Sequence, residues 1–524
     1  MVNALSNEVP ADNDYEVIIV GAGPVGLTLA NLLGIHGVRV LVLEKELAVP
    51  DMPRAVSLDD ESLRIWQQCG LIDAIMPFVA QGAEGDEVFT YRNRSGRAIF
   101  CLTQHGRPYG YARGNVFLYH RALEVLNSGI DRFAAVTVRY GWNVQSFLQL
   151  PDAVMLVARD RNGSLCELKT AYLVGCDGGR SVIRTGLQIA MLGSAYAESW
   201  LIADTRDSTL AGQPPREGVE VWCDARCPTA SIPLPDGYRR WEFLLRHGQD
   251  PAACLDDACL MRLISQRKPQ KDIKVLRRLV HTYKGSVAEH YRRERVFLAG
   301  DAAHLSPPFA GQGLATGLRD AANLSWKLAH VLSGKAPSEL LDSYEEERRP
   351  HQVKMLRLAR RMGMMMMPRM RLQEILVSCG LAIAGKFSWL RRWMEIRGEN
   401  ITPVYEGGKQ KTKTGHFLIQ PPVGNNGLLD DLLGMNYTII TFDRPAQELL
   451  NEEDYAEWQR CGTMFLCLRP GGNTSEAYQA FDRWLGGCQG RLLVVRPDRF
   501  VHEDRLLTGK KQWSSKRENE RGTP

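Results

Sequence analysis

The sequence lacks several features that would place it in common protein classes. Its 12 cysteines include no C-x-x-C pair, which argues against the usual zinc sites and against a thioredoxin-type redox centre. The longest apolar run, ILVSCGLAIAG from Ile375, is too short to cross a bilayer, and the N-terminal residues lack the apolar core of a signal peptide. A net charge of +5 gives no reason to expect a nucleic-acid partner. We therefore expect a cytoplasmic protein with no metal ion, membrane or nucleic acid as partner.

Length and composition predict a globular protein of more than one domain. At 524 residues the chain exceeds the size at which a single hydrophobic core stops growing, so we expect two or three domains. Hydrophobic residues make up 44% of the chain and charged residues 24%, which supplies material for a core and gives no sign of disorder. Function must therefore be sought in local motifs.

The segment YEVIIVGAGPVGLTLANLLGIHGVRVLVLEKE predicts a strand, a tight turn, a helix and a second strand. The first strand, 17–20, leads into G-x-G-x-x-G, whose glycines permit the turn, the approach of a pyrophosphate and close packing of helix on strand. The second strand, 38–43, precedes Glu44, whose carboxylate would accept hydrogen bonds from the ribose hydroxyls of FAD or NAD. The cofactor-binding candidates are Gly21, Gly23, Pro24, Val25, Gly26, Glu44 and Lys45. The alternative is a glycine-rich turn that serves packing alone.

Two later segments favour FAD. AYLVGCDGGRSVIR contains a strand that ends at Asp177-Gly178, and RVFLAGDAAH contains a strand, 296–299, that ends at Gly300-Asp301, where the aspartate can hydrogen-bond the ribityl chain of a flavin. The next residues, PPFAGQGLATG, open a helix. Their glycines bring backbone N–H groups and the positive end of the helix dipole to the flavin ring, which is anionic when reduced. The candidates in these segments are Asp177, Gly300, Asp301, Pro308, Gly311, Gln312, Gly313 and Leu314.

These three segments, in this order, resemble the class A flavoprotein monooxygenases, the single-component aromatic hydroxylases. The resemblance includes MPRAVSLDDESLRIWQQCGL, where it implies a flavin contact for Arg54, and RGNVF, where it implies one for Arg113. The chain departs from the family pattern at Tyr119, where glutamine is usual, and at Ala315, where asparagine is usual. Each departure puts one flavin contact in question.

The resemblance also implies a reaction. NADH or NADPH would dock transiently and reduce FAD, and the reduced flavin would react with O2 to give a C4a-hydroperoxyflavin that hydroxylates a phenolic aromatic substrate. The stretches PRAVSLDDESLR, YRRWEFLL, YEEERRPH and LLVVRPDRFV resemble the branch that acts on 3-hydroxyphenylpropionate-type acids in aromatic catabolism. The catalytic base is unassigned, because Tyr109, Tyr111, Tyr238 and His105 are candidates by residue type and region alone. His304 is expected to brace the Gly-Asp loop.

Two alternatives stay open. A hydroxylase of a larger aromatic polyketide or other natural product would share all three motifs. A FAD-binding protein without oxygenase turnover would fit the departures at Tyr119 and Ala315. A flavin halogenase is disfavoured, because no W-x-W-x-I-P stretch follows the first motif.

The expected fold is α/β: a Rossmann-like FAD-binding domain with an antiparallel-sheet substrate domain, the aromatic hydroxylase fold, followed by a thioredoxin-like domain. The expected divisions are an FAD and substrate body at 1–405 with a substrate-roof sheet at about 201–280, a linker at 406–414, the C-terminal domain at 415–507 and a disordered tail at 508–524. The C-terminal domain is expected to be structural and to support a homodimer.

The segment KMLRLARRMGMMMMPRMRL predicts a helix that packs on the body and is ended or kinked by Pro368. A membrane-surface helix and a methionine-lined rim of the substrate entrance are the alternatives.

Overall fold

The computed structural model describes residues 15–50, 55–246, 249, 251–269, 273–387, 389, 404–405, 412–425 and 427–507. The contact expected at Arg54 and the tail expected at 508–524 lie outside these residues. The α-helices are α1 Pro24–Ile35, α2 Asp60–Gln68, α3 Ile72–Ile75, α4 Tyr119–Ser128, α5 Val182–Gly186, α6 Pro251–Cys254, α7 Asp257–Arg267, α8 Gln312–Leu332, α9 Asp342–Met366, α10 Arg371–Lys386, α11 Ala446–Leu449, α12 Glu452–Arg460 and α13 Ser475–Leu485. No helix in the described part of the chain has the length and apolarity needed to span a membrane.

The first sheet contains a run of parallel strands. Its strands are β1 Tyr15–Val20, β2 Val40–Glu44, β8 Val136–Tyr140, β9 Asn143–Gln149, β10 Val154–Arg159, β11 Leu165–Gly175, β17 Arg292–Arg293 and β18 Val296–Leu298. The strands β18, β11, β1, β2 and β8 are neighbours in that order and are parallel. The apolar residues of β1, β2 and β18 are buried on both faces apart from the partly buried Tyr15, as is typical of parallel sheets. Strand β2 begins at Val40, two residues later than predicted, and it includes Glu44.

The order of these strands creates a topological switch point. Helix α1 connects β1 to β2 on one side of β1, whereas β11 pairs with β1 on its other side. In open α/β sheets, ligands bind beyond the carboxyl ends of the strands at such a point. The fold therefore presents a binding crevice where the first glycine motif lies.

The second sheet is larger than the predicted roof. Its strands are β5 Glu87–Arg92, β6 Ala98–Thr103, β12 Met191–Asp207, β13 Val219–Trp222, β14 Thr229–Pro233, β15 Tyr238–Leu244, β16 Ile273–Ala288 and β19 His304–Leu305. They pair in the order β19-β16-β12-β15-β14-β13-β5-β6, and the β13–β5 pair is parallel. Alternating side chains along one strand do not reveal a partner more than 100 residues away. For that reason β5 and β6 were missed.

Three long helices, α8, α9 and α10, pack against the body of the protein. Helix α8 packs along α1 and fills the core beneath the first sheet. Helix α9 ends at Met366, two residues before Pro368, and Met366 and Met367 are buried against the second sheet with α10. The methionine-rich segment is thus a helix packed on the body, as predicted, although the Met364 side chain is 62% exposed.

The C-terminal part has the predicted thioredoxin-like arrangement. Its main strands are β22 Thr438–Phe442, β23 Met464–Leu468, β24 Arg491–Val495 and β25 Val501–Leu506, and the remaining short strands of the chain are β3 Ser57–Leu58, β4 Val79–Gln81, β7 Asn115–Phe117, β20 Pro422–Val423 and β21 Gly427–Leu428. The main sheet has the order β23-β22-β24-β25, with β22 and β23 parallel and the other pairs antiparallel. Helices α12 and α13 connect the strands of this sheet. All 12 cysteines of the full chain are free thiols.

Candidate active site

The carboxyl ends of four parallel strands bring the predicted cofactor residues to one edge of the first sheet. Gly21 follows β1, Glu44 ends β2, Asp177 follows β11 and Gly300-Asp301 follows β18. A cleft of about 200 Å³ opens at this edge. The candidates that line it are Gly21, Gly23, Glu44, Lys45 and Asp177, and Tyr119 lines it as well.

The glycines of the first motif have different physical roles. Gly21 has φ +110°, and a Cβ there would lie 2.4 Å from the carbonyl oxygen of Cys176. A Cβ on Gly26 would lie 2.0 Å from the carbonyl oxygen of Gly21, so both positions require glycine for packing. A Cβ on Gly23 would meet nothing within 4 Å, and no side chain caps α1, which begins there with Pro24. Backbone N–H groups at this helix start are therefore open to an anionic group such as a pyrophosphate.

The two carboxylates at this cleft that are cofactor candidates, Glu44 and Asp177, already accept hydrogen bonds. Glu44 Oε2 accepts a hydrogen bond from the Ala22 N–H at 2.8 Å, and its Oε1 accepts one from the Glu46 N–H at 3.0 Å. Each carboxylate oxygen has a second lone pair, so Glu44 can still accept from a ribose. Asp177 Oδ2 accepts from the N–H groups of Val182 at 2.7 Å and Ile183 at 3.2 Å, which caps α5. Burial raises the pKa of Asp177, whose Oδ1 has no hydrogen-bond partner among the described residues.

The Gly-Asp loop is held from behind by a buried ion network. Gly300 has φ +60°, and its N–H donates to Asp320 Oδ2 at 3.1 Å. His304 Nε2 lies 2.7 Å from the same Oδ2, while Arg348 Nε donates to Asp320 Oδ1 at 2.9 Å. His304 thus braces the loop, as predicted. The network fixes the loop from the interior of the protein, and Asp301 is exposed.

Val25 links the first motif to the third. A Cβ on Gly300 would lie 3.0 Å from Val25 Cγ2, and one on Gly317 would lie 2.6 Å from the same methyl group. The close approach of α1 and α8 therefore depends on these two glycines. Val25 and Gly26 act in packing, and neither lines the 200 Å³ cleft.

The start of α8 borders a second cleft, of about 640 Å³. Gly311 has φ +62° and precedes the helix without a side-chain cap, and a Cβ on Gly313 would meet nothing within 4 Å. Arg113, Gly311 and Gln312 line this cleft, together with Ser57 and residues of β5 and β13. Backbone N–H groups of α8 are thus available at its mouth.

The side chain of Gln312 forms a hydrogen bond within α8. Its Oε1 accepts a hydrogen bond from Arg319 Nη1 at 2.9 Å. Arg319 is also paired with Asp59 and, at 2.5 Å, with Glu61, so it ties α8 to the start of α2. Burial, together with the neighbouring Asp59 and Glu61, raises the pKa of Asp60 well above its usual value. The Oε1 atom of Gln312 is therefore engaged within the protein, and Gln312 stays a predicted cofactor contact.

The other candidates fall outside the clefts. Pro308 and Leu314 are partly buried beside Gly311, and Leu314 packs on the main core. Ala315 is fully buried, so the departure from the family asparagine lies inside the protein.

The four residues considered as bases have structural contacts. Tyr111 Oη donates to Gln67 at 3.0 Å, and the Tyr109 ring lies 4.9 Å from that of Phe417. Arg206 lies over the ring of Tyr238, and His105 pairs with Glu84 at the surface. None of them is placed as a base by these contacts.

Sequence reasoning missed the two ion networks behind the clefts. Arg348 occurs in YEEERRPH, which served only as a mark of resemblance, and Asp320 follows PPFAGQGLATG in the same predicted helix. Asp59 and Glu61 occur in PRAVSLDDESLR, which likewise served only as a mark of resemblance, and Arg319 lies outside the quoted motifs. A fully buried arginine cannot be told from a surface arginine by residue type, and only the fold brings these charges together.

The two clefts fit the parts of FAD. An open glycine at an uncapped helix start suits the pyrophosphate, the carboxylate of Glu44 suits the ribose, and the uncapped start of α8 suits the anionic edge of the ring. When bound, FAD would supply the transfer of electrons from a nicotinamide to O2.

Comparison with known proteins gives concordant results. A family model described as an FAD binding domain matches residues 14–359, and one described as an HcaD C-terminal domain matches residues 415–509. The chain is 34% identical over 515 residues to a 3-(3-hydroxy-phenyl)propionate/3-hydroxycinnamic acid hydroxylase of Mycolicibacterium gilvum, covering 93% of this chain and 88% of the relative. The protein of that name from Comamonas testosteroni is 32% identical, with 95% and 96% covered.

Among solved structures, the OxyS anhydrotetracycline hydroxylase of Streptomyces rimosus superposes with a TM-score of 0.74 at 25% identity, covering 94% of this chain and 96% of that one.

Proposed function

The chain belongs to the family of FAD-dependent aromatic hydroxylases, and on that premise we propose that it hydroxylates a phenolic acid of the 3-hydroxyphenylpropionate type. The reaction of this family consumes O2 and a reduced nicotinamide. The acid is proposed because relatives that carry this name match the chain over more than nine tenths of its length.

The observation that carries the proposal is that three separate segments of the chain supply the candidate residues of the two clefts. Gly23, Glu44 and Asp177 line the smaller cleft, and Arg113, Gly311 and Gln312 line the larger one. Three segments so far apart in the chain have no packing reason to leave two glycine-led helix starts uncapped. A cofactor with a pyrophosphate at one end and an anionic ring at the other supplies that reason.

The protein has three tasks during turnover. The backbone at Gly23 and Gly311 holds the cofactor, and the network of His304, Asp320 and Arg348 keeps the Gly-Asp loop in one position beside it. The second sheet covers the reacting region and limits the access of water, which would otherwise divert the oxygen chemistry.

The test is NADH and NADPH consumption by the FAD-loaded protein, with the mass of the product recorded. The panel contains 3-(3-hydroxyphenyl)propionate, 3-hydroxycinnamate, simple phenols and polycyclic phenols. Consumption stimulated by the two acids, with a gain of one oxygen atom, is the expected result.

Two other outcomes would replace the proposal. Stimulation by polycyclic phenols alone would favour the hydroxylation of a larger aromatic natural product. Bound FAD without stimulation by any phenol would favour a flavin-binding protein without oxygenase turnover. The homodimer, the domain boundaries and the preferred nicotinamide stay predictions, which sedimentation, limited proteolysis and the same assay would test.

A further inference from the structure

One face of the second sheet lies against the loop that leads into α8. A Cβ on Gly285 of β16 would lie 3.6 Å from the ring of Pro307, and the rings of Trp200 and Phe309 are 5.9 Å apart. Both Pro307 and Phe309 precede Gly311, where α8 begins without a cap. This face, which we call the inner face, therefore borders the proposed position of the flavin ring.

The register of three strands defines which side chains share the inner face. Trp200 of β12 is opposite His281 of β16, and Ile202 of β12 is opposite Glu242 of β15. Tyr283 is two residues beyond His281 on the same side, because side chains alternate along a strand. Trp200, Ile202, Phe309 and Tyr283 indeed belong to one apolar cluster. A carboxyl group, a phenol and an indole N–H thus share a largely apolar surface.

Hydrogen bonding on the inner face is incomplete. Tyr283 Oη donates to Glu242 Oε1 across a long 3.5 Å. Glu242 is 5% exposed, and the Trp200 Nε1 is buried with no hydrogen-bond partner among the described residues. Buried polar groups normally have partners, so these groups are suited to a ligand that supplies one oxygen atom. A phenolic hydroxyl beside an aromatic ring meets both the polar and the apolar requirement.

Charged side chains surround Glu242 and Tyr283. The buried Arg240 donates to Asp204 at 2.8 and 3.1 Å and also acts electrostatically on Glu242. The charged and titratable groups near the pair are Arg240 and Asp204 beside Glu242, Arg277 beside Asp204, Glu198 opposite Tyr283, His281 on the same strand, and Asp301 of the Gly-Asp loop.

The environment suits a proton acceptor. Burial raises the pKa of Glu242, Arg240 opposes the shift and Asp204 adds to it. Burial lowers the pKa of His281, against an opposing effect of the Asp301 carboxylate. A carboxyl group whose pKa is raised is a stronger base toward a phenol than an ordinary carboxylate.

We propose that Tyr283 contacts the phenolic oxygen of the substrate and that Glu242 accepts, through Tyr283, the proton which that oxygen loses. The substrate O–H bond breaks, its proton passes to Tyr283 Oη, and the proton of Tyr283 passes to the Glu242 carboxylate. No electron is transferred in this step. The Trp200 N–H donates to the phenolate oxygen, whose charge enriches the ring carbons to be hydroxylated. This inference rests on the proposed function, which makes the substrate a phenol.

The test uses the FAD-loaded protein with 3-(3-hydroxyphenyl)propionate as the probe. The near-ultraviolet difference spectrum of the bound probe, recorded against pH, separates phenol from phenolate, and kcat and KM are measured over the same pH range. Tyr283→Phe removes one hydroxyl group, and Glu242→Gln keeps the shape of the side chain without its basicity. Tyr91→Phe is the matched control, because Tyr91 lies in the same apolar cluster on the distant strand β5.

In the wild-type protein the bound probe should ionise at a lower pH than the free phenol. In both variants its ionisation should return toward that of the free phenol. The kcat at neutral pH should fall by about 10²-fold or more, the change in KM should be smaller, and the rate should recover as the pH rises. FAD content and the Tyr91→Phe control should stay at wild-type values.

Unchanged phenolate spectra and pH profiles in both variants would overturn the inference, and so would a wild-type protein that binds the probe only as the neutral phenol. A wild-type phenolate signal that both variants abolish, without any hydroxylated product, would support the inference while the proposed function fails.

Discussion

The start of α8, which we call its open end, and its second half from Asn323 onward, which we call its closed end, have opposite surroundings. At its start, Gly311 provides no cap and Gly313 faces open space. Further along, the Asn323 side chain donates to Asp498 at 3.1 Å, and Lys327 donates to Glu347 at 2.9 Å. At the open end, backbone N–H groups have no side-chain cap. At the closed end, polar side chains of α8 bind carboxylates of α9 and of the C-terminal domain.

The difference separates binding from stability on a single helix. Unused N–H groups at a helix start carry a cost that a ligand can recover, so they indicate a binding site. A closed network of buried charges gives no ligand a place, and it makes each member depend on the others. Changes at the closed end should therefore alter the stability of the fold, and changes at the open end should alter the occupancy of the cofactor.

Glu347→Ala should have the largest effect on stability. The Glu347 carboxylate accepts from Arg496 at 2.6 and 2.8 Å as well as from Lys327, and burial lowers the pKa of Lys327 to about 8. Without this carboxylate the buried Lys327 and Arg496 lose a partner of opposite charge, which lowers the unfolding free energy by about 3–5 kcal/mol. Denaturant unfolding measures the loss. Glu346→Ala is the matched control, because the neighbouring Glu346 is exposed.

Asp301→Ala should act at the open end and lose most of the bound flavin. A hydrogen bond to a charged group is worth about 1.5–3 kcal/mol, or roughly a 10- to 100-fold loss of affinity. Flavin released on denaturation is quantified by its absorbance, and the stability of the flavin-free protein should hardly change because Asp301 is exposed. Full flavin content in the variant would contradict the assignment of this loop.

Acid should loosen the contact of α2 with the C-terminal domain. Arg499 and Arg64 lower the pKa of the buried Asp430 carboxyl from 3.8 to about 2, against the effect of burial. Since the folded-state pKa is the lower one, this contribution to stability is present above pH 4 and is lost as the pH falls toward 2. It amounts to roughly 2 kcal/mol.

The measurement for Asp430 is unfolding free energy against pH. Asp430→Asn should be less stable at neutral pH and should show a flatter profile between about pH 4 and 2. Equal slopes for the wild-type protein and the variant would contradict the prediction.

The smallest effect is expected at an exposed ion pair. Arg121 and Glu124 are 3.0 Å apart on α4, and both are about half exposed. Glu124→Gln should change the unfolding free energy by at most about 0.5 kcal/mol, because solvent screens the pair. A loss comparable with that of Glu347→Ala would erase the distinction between surface pairs and the closed network.

The sequence predicted the parts of the site that depend on neighbouring residues. Gly21, Gly23 and Gly26 could be placed because turn, helix start and strand are consecutive, and Asp301 because it follows a recognisable strand. The interior strands of the first sheet were recognisable from their continuous apolar runs, although β2 begins later than predicted. Features that are built from consecutive residues can therefore be predicted from the sequence.

Contacts across the fold left no such pattern. Arg64 and Asp430 form a buried pair across 366 positions, and Tyr283 reaches Glu242 over the intervening strand β12. Both depend on which distant strands and helices become neighbours. Gln312 was predicted as a cofactor contact from its place in the motif, and the bond that its side-chain Oε1 accepts from Arg319 could not be predicted, because a motif specifies a residue type and not the direction in which its side chain points.

The buried Arg64 has a consequence for synthesis of the protein. Its guanidinium is held by Asp430 and by the carbonyl oxygen of Leu418, both of which leave the ribosome more than 350 residues after it. A nascent chain that has already formed α2 must keep this cation hydrated until those residues emerge. The body of the enzyme therefore completes its folding late in translation. A chain truncated before the C-terminal domain would expose the surface around Arg64, which is buried in the full chain, to chaperones and proteases.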